Sequence, residues 1–159
     1  MNIVADASPL ISLAILENLA LLPKLFEQIL IPRAVFDEAT TEGKPHSETI
    51  RIFAKDRVVS VNNELAVQLL LNDIHLGEAE AIVLAFEKGV PNILIDDAKG
   101  RRFVKLNGLH PIGTIGVLLQ AKNTGLVKEV KPLLDKLIAN KIRISDQLYV
   151  QALQLAHET

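Results

Sequence analysis

Asn2-Ile3-Val4-Ala5-Asp6-Ala7-Ser8-Pro9-Leu10-Ile11 opens the chain with the pattern that decides its fold. A short apolar run suits a strand buried on both faces, and an aspartate ends it. Ser8-Pro9 then opens a helical pattern through Leu10, Leu13, Ala14 and Glu17, since proline is tolerated in a first helical turn. Strand, acidic loop and helix follow in succession.

The same order recurs late in the chain. Asn92-Ile93-Leu94-Ile95 is a second apolar run, ending on Asp96-Asp97 before a basic helix from Ala98 to Leu106 that Gly108 closes. Between these stretches the pattern predicts a short helix near Leu19 to Phe26, a strand from Gln28 to Ile31, and a helix from Pro32 carrying Val35, Phe36, Glu38 and Ala39. Gly43-Lys44-Pro45 breaks that helix, Ser47 to Lys55 resumes helical character, Val58 to Val61 reads as a strand and Glu64 to Leu71 as a helix. A strong helix from Gly77 to Lys88 stops at Gly89. His110-Pro111-Ile112 is a last short strand, with helices beyond it near Thr114 to Lys122, Lys128 to Asn140 and Asp146 to His157. Strands alternating with helices predict an α/β protein with a mainly parallel sheet covered on both faces, and such sheets place ligand sites at the carboxyl ends of their strands.

A length of 159 residues fits one domain over 1–159, and 49% hydrophobic with 23% charged residues supports a sizeable core. With no cysteine, disulfides, thiolate metal sites and a cysteine nucleophile are excluded, which suits a reducing cytoplasm. The apolar stretch from Pro9 to Pro32 is interrupted by Glu17, Asn18, Lys24 and Glu27, so neither secretion nor membrane insertion is expected. A net charge of −2 gives no broad electrostatic attraction to nucleic acid.

Parallel strands would bring Asp6 and Asp96 to one sheet edge. Glu78 shares a helical face with Ala81, Ile82 and Ala85, so it is expected to point inward. Glu80 shares a different stripe with Glu87 and reads as solvated, although one turn of shift at the helix start would exchange the two. Glu38 offers a fourth carboxylate, with Asp37 a weaker candidate. Clustered carboxylates raise one another's pKa unless a cation offsets the charge, and an all-oxygen set suits magnesium or manganese. Neutralising either Asp6 or Asp96 is then expected to relieve repulsion in the metal-free protein. Taken singly, each acid also has a plainer reading: Asp6 or Asp97 as a helix cap, the glutamates as solvated charges.

Lys99, Arg101, Arg102 and Lys105 follow the aspartate pair, with Arg101 and Lys105 one helical turn apart. They read either as phosphate contacts beside a metal or as a solvated basic face. His46, His75, His110 and His157 lack metal-ligand spacing, and no nucleophile elbow, phosphate loop or dinucleotide fingerprint is present. Thr114, within Gly113-Thr114-Ile115-Gly116, reads as a helix cap.

Val4-Ala5-Asp6-Ala7-Ser8-Pro9-Leu10-Ile11, Leu76-Gly77-Glu78-Ala79-Glu80-Ala81, Leu94-Ile95-Asp96-Asp97 and Gly113-Thr114-Ile115-Gly116 together resemble PIN-domain proteins, through at least Lys122. More specifically, the chain resembles a prokaryotic PIN-like branch related to VapC-type toxins. The resemblance implies a three-layer α/β/α fold and an acidic pocket binding Mg2+ or Mn2+ for RNA cleavage. Its matching positions are Asp6, Glu38, Glu78 and Asp96, with Ser8 and Thr114 as polar supporters. Many VapC-type relatives carry aspartate where Glu78 falls, and Asp97 is an additional acid that competes with Asp96 as a metal ligand. The resemblance also implies an antitoxin that inserts a segment into the groove, and a homodimer built from apolar helices. Two other classes compete: a non-catalytic nucleic-acid- or antitoxin-binding module that keeps the pocket, and a phospho-accepting receiver domain, which should carry its paired acids after the first strand.

Overall fold

Ile3, Val4 and Ala5 are fully buried in the middle of a five-stranded parallel sheet, in a computed structural model that describes residues 1–159. The strands are β1 (Asn2–Ala5), β2 (Gln28–Pro32), β3 (Val58–Val59), β4 (Asn92–Leu94) and β5 (His110–Ile112), in the order β3-β2-β1-β4-β5. Val4 stands in register with Leu30 on one side and Ile93 on the other. Ten helices complete the chain: α1 (Ala7–Ile15), α2 (Leu21–Leu25), α3 (Arg33–Ala39), α4 (Ser47–Ala54), α5 (Glu64–Leu70), α6 (Leu76–Lys88), α7 (Ala98–Leu106), α8 (Thr114–Asn123), α9 (Lys131–Ala139) and α10 (Asp146–Leu155).

Side chains alternate across a strand, so each strand feeds two layers. Ile3, Ala5, Ile29, Ile31 and Leu94 join a cluster of 28 buried residues with α1 to α4 and α8 to α10. Val4, Leu30, Ile93 and Ile95 face the other way, into a cluster of 15 with α5, α6 and α7. This is a three-layer α/β/α fold.

From β1 the chain passes outward through β2 to β3, then crosses back to lay β4 and β5 on the opposite flank of β1. The seam between β1 and β4 is thus a topological switch point, where open parallel sheets leave a crevice beyond their carboxyl ends. The Asp6 amide spans the seam by donating to the Leu94 carbonyl at 2.9 Å. Asp6 and Asp96 leave the sheet on neighbouring strands.

Several boundaries shift by one to three residues from the sequence pattern, and three of the shifts bear on the architecture. The β4 strand stops at Leu94, although the Ile95 amide still donates to the Ile112 carbonyl at 2.8 Å. The β3 strand keeps two residues and stops short of Val61, as edge strands often do. The α9 helix begins at Lys131 rather than Lys128, with Pro132 in its first turn. Its start is secured by Glu158, which accepts from the Val130 amide at 2.7 Å, the Lys131 amide at 2.9 Å and Lys122 Nζ at 2.8 Å. No helix is long and apolar enough to cross a membrane.

Candidate active site at the carboxyl edge

Asp6 caps the start of α1 in position only, because its side chain makes no capping hydrogen bond. The residue is 7% exposed. Burial pushes its carboxyl up to about 7; the Ala7 amide pulls it down, and the charges of Glu78, Glu38 and Asp96 push it up further. Gly77, in the first turn of α6, lies against two of these acids. A Cβ placed there would stand 3.4 Å from Asp6 Oδ1 and 3.9 Å from Glu38 Oε1. Glu38 itself is exposed.

Glu78 is buried, and its Oε1 accepts the His75 amide at 3.2 Å, tying the first turn of α6 to its own start. Burial raises the Glu78 pKa, opposed by the His75 amide and reinforced by the neighbouring Asp97 carboxylate. Asp97 caps α7 through Oδ2, which accepts the Gly100 amide at 2.8 Å. Gly100 has no room for a side chain, since a Cβ would collide with Glu78 Oε2 and approach Ile95 Cδ1 to 2.6 Å. Glycine here lets α7 close on the acid.

Glu80 is not the solvated residue that its stripe suggested. It is half-buried, and its Oε1 accepts the Ala34 amide at 2.9 Å. The α3 helix follows Pro32, which has no side-chain oxygen to offer, so the open amide of its first turn takes an acceptor from α6 instead.

Asp96 is exposed, yet both its oxygens are engaged: Oδ1 accepts the Thr114 amide at 2.7 Å and Oδ2 the Thr114 hydroxyl at 2.6 Å. Gly113, not Thr114, occupies the cap position of α8. Asp96 supplies the capping oxygen from the end of β4, and Thr114 is the first helical residue. Arg101 turns back to the same place, its Nη1 donating to the Ile95 carbonyl at 3.0 Å. A Cβ on Gly113 would stand 3.0 Å from Asp96 Oδ1 and 3.1 Å from Arg101 Nη1. Lys105, one turn further on, is exposed and forms no ion pair.

Asp96 opens onto two adjoining hollows. One, of about 350 Å³, has Ser8, Ser12 and Thr114 among its lining, together with Lys141 and Arg143 from the α9–α10 connection. The other, of about 460 Å³, is lined by Arg101 and Gly113; Ile115 and Leu148 belong to both. Glu78 and Asp97 open instead onto a separate hollow of about 250 Å³ that includes Lys99. The expected acids therefore straddle the switch point, with Asp6 buried between them, and do not share one cavity. Nothing in the chain order ties the loop that carries Lys141 and Arg143 to Asp96, so the sequence pattern does not point to them.

A family model for the PIN domain matches residues 2–158. The chain belongs to the PIN-domain family. PIN domains are generally nucleases, so hydrolysis of nucleic acid is the class of function that accompanies this fold. No curated protein and no solved structure matches the chain.

PIN nucleases typically use divalent metals. In this PIN domain the donors at the edge are all carboxylate and hydroxyl oxygens, which suits a hard cation. No three acidic or histidine side chains converge as a ready cage. Magnesium, however, usually takes only one or two protein carboxylates and completes its shell with water and substrate oxygens. The strongest point of fit is Asp6, a buried carboxyl whose raised pKa marks a place where positive charge would be welcome.

Proposed function

We propose that this PIN domain is a magnesium- or manganese-dependent endoribonuclease, acting in the cytoplasm as the toxin of a toxin–antitoxin pair, as the VapC-type toxins it resembles would do. The observation that carries the reading is the buried Asp6 carboxyl, raised to about 7 beside Glu78, Glu38 and Asp96 at the sheet's switch point.

In this reading Asp6 and Asp96 would hold the cation, with Glu78 completing the set and Asp97 behind it. A cation bound there supplies Lewis acidity and charge neutralisation for phosphodiester hydrolysis. Thr114 orients Asp96 through its two hydrogen bonds, and Glu38, exposed beside Gly77, would accept the proton of the attacking water in this reading. Ser8 and Arg101, which line the hollows beside Asp96, would meet the substrate, and Lys105, exposed one turn beyond Arg101, would reach a further phosphate.

The experiment is cleavage of labelled RNA by purified protein in chelator and after addition of magnesium or manganese, alongside Asp6→Asn and Asp96→Asn. Cleavage that needs metal and disappears in both variants supports the nuclease; cleavage at the wild-type rate by either variant refutes the assignment. A second reading, a binding module without turnover, is favoured by one observation: each Asp96 oxygen already gives one of its lone pairs to Thr114, which makes it a weaker ligand for a cation. RNA binding without cleavage under either metal would select it. Co-purification with the product of a neighbouring small gene tests the antitoxin, and the mass in solution tests the homodimer.

A further inference from the structure

The connection between α9 and α10 places a lysine beside Asp96. Lys141 adopts φ 67°, the left-handed conformation that favours glycine. Its amide donates to the Ile138 carbonyl at 3.0 Å and the next amide, of Ile142, to the Leu137 carbonyl at 3.0 Å, the paired bonds that close a helix around such a residue. Five non-glycine residues have positive φ, and Lys141 is the one that lines the hollow beside Asp96. Glu17 and His157 close α1 and α10 with the same pair of bonds, so the conformation is an ordinary helix ending, and what singles out Lys141 is its place beside Asp96.

Lys141 and Arg143 are both exposed and free of ion pairs, as most of the chain's cations are, and what distinguishes them is the hollow they share with Asp96. Between them and Asp96 lies a largely aliphatic lining that includes Ile115 and Leu148, with the Ser8 hydroxyl at its margin. The volume, about 350 Å³, lies at the small end of ligand pockets and suits one nucleoside. Across Asp96 the adjoining hollow brings in Arg101. Cations thus stand on both sides of an acid in a protein whose net charge is only −2, so the attraction for a polyanion is local.

Resting on the nuclease reading, we propose that this furrow is the seat of single-stranded RNA. One base lies against the aliphatic floor, its phosphates meet Lys141 and Arg143, and the strand continues past Asp96 to Arg101. Unstacked bases of single strands pack on apolar side chains, while phosphate contacts fix the strand's register.

The test is fluorescence anisotropy with a labelled single-stranded RNA, in chelator, over a series of salt concentrations. Wild type is compared with Lys141→Gly and with the double variant Lys141→Gln/Arg143→Gln. Glycine relieves the backbone while removing the charge, so Lys141→Gly is expected to melt about 2–4 °C higher and yet bind RNA more weakly, a pair of signs that misfolding does not produce. The double variant should bind about tenfold or more weakly, with a salt slope shallower by about 1.4, since each phosphate contact on a single strand contributes about 0.7. Competition by polyglutamate matching that by unlabelled RNA of equal charge would overturn the nucleotide occupant. Metal-dependent cleavage by wild type with an unchanged slope in the double variant overturns the furrow and leaves the nuclease reading standing. Lost slope without cleavage under any metal supports the furrow and removes the nuclease reading, and a wild type that neither binds nor cuts RNA removes both.

Discussion

The Asp96 carboxylate clasps Thr114 twice, taking its amide at 2.7 Å and its hydroxyl at 2.6 Å. Repulsion among acids had suggested that neutralising Asp96 would stabilise the metal-free protein; the clasp reverses that expectation. Asp96→Asn keeps one acceptor, loses the charge that favours a helix N-terminus, and presents an amide donor to a hydroxyl that was donating. It should lower stability by about 1–2 kcal/mol in chelator as well as abolish cleavage. A thermal melt above wild type in chelator would sink this account.

Asp6→Asn is expected to act in the opposite direction, and to do so as a function of pH. A carboxyl raised in the folded state from 3.8 to about 7 binds its proton more tightly folded than unfolded. Its favourable contribution is therefore complete below about pH 4 and lost as pH climbs through 7, at most roughly 4 kcal/mol. In chelator the variant should melt above wild type near pH 8 and converge with it near pH 4, each roughly. Parallel melting curves for the two proteins across that range would remove Asp6 as the buried charge.

Cation binding should follow the same proton. Magnesium or manganese is expected to raise the wild-type melting temperature more above pH 7 than at pH 5, because below about 7 the proton on Asp6 competes for the site. Asp6→Asn should reduce that rise and flatten its pH dependence. Differential scanning fluorimetry at several pH values checks both points.

Glu78 and Glu80 should separate cleanly. Glu78→Gln is expected to abolish metal-dependent cleavage, whereas Glu80→Ala strips the acceptor from the Ala34 amide and costs about 1 kcal/mol while cleavage persists. If Glu80→Ala folds normally but loses cleavage and Glu78→Gln keeps it, the two glutamates have been assigned the wrong way round.

Two glycines offer a steric contrast. Gly100→Ala pushes a methyl group into Glu78 and Ile95 and should cost on the order of 1–3 kcal/mol, with reduced cleavage through the displaced acid. Gly77→Ala meets its neighbours at ordinary distances, 3.4 Å at the closest, and should be neutral or slightly stabilising in the folded protein. Equal melting temperatures for the two variants would contradict the packing described at α7.

What could be read from the chain alone followed locality. The α7 helix runs from Ala98 to Leu106 as its flanking residues predict, because Asp97 caps it and Gly108, at φ 77°, follows its end. The proximity of Asp6 and Asp96 follows from two apolar runs that become neighbouring parallel strands. The role of Glu80 is hidden from its own stripe because its partner, the Ala34 amide, lies on another helix; the one local sign of it is that α3 follows a proline and lacks a capping side chain nearby. Lys141 and Arg143 left no signal of that kind. Their place beside Asp96 depends on how α9 and α10 pack over α8, a relationship between layers that no local pattern encodes.

The two unequal cores have a further consequence. Twenty-eight buried residues lie on the face that holds α8 to α10 and only 15 on the face that holds α5 to α7, while the acids are divided between them. Glu78 and Asp97 ride on the thinner layer; Thr114 belongs to the thicker one. Native-state hydrogen exchange should therefore show two tiers, with the amides of α5 to α7 opening at lower free energy than those of β1 and α8. In such partial openings Glu78 would leave the edge while Asp96 stayed clasped to Thr114, so the acidic constellation would come apart before the protein unfolds.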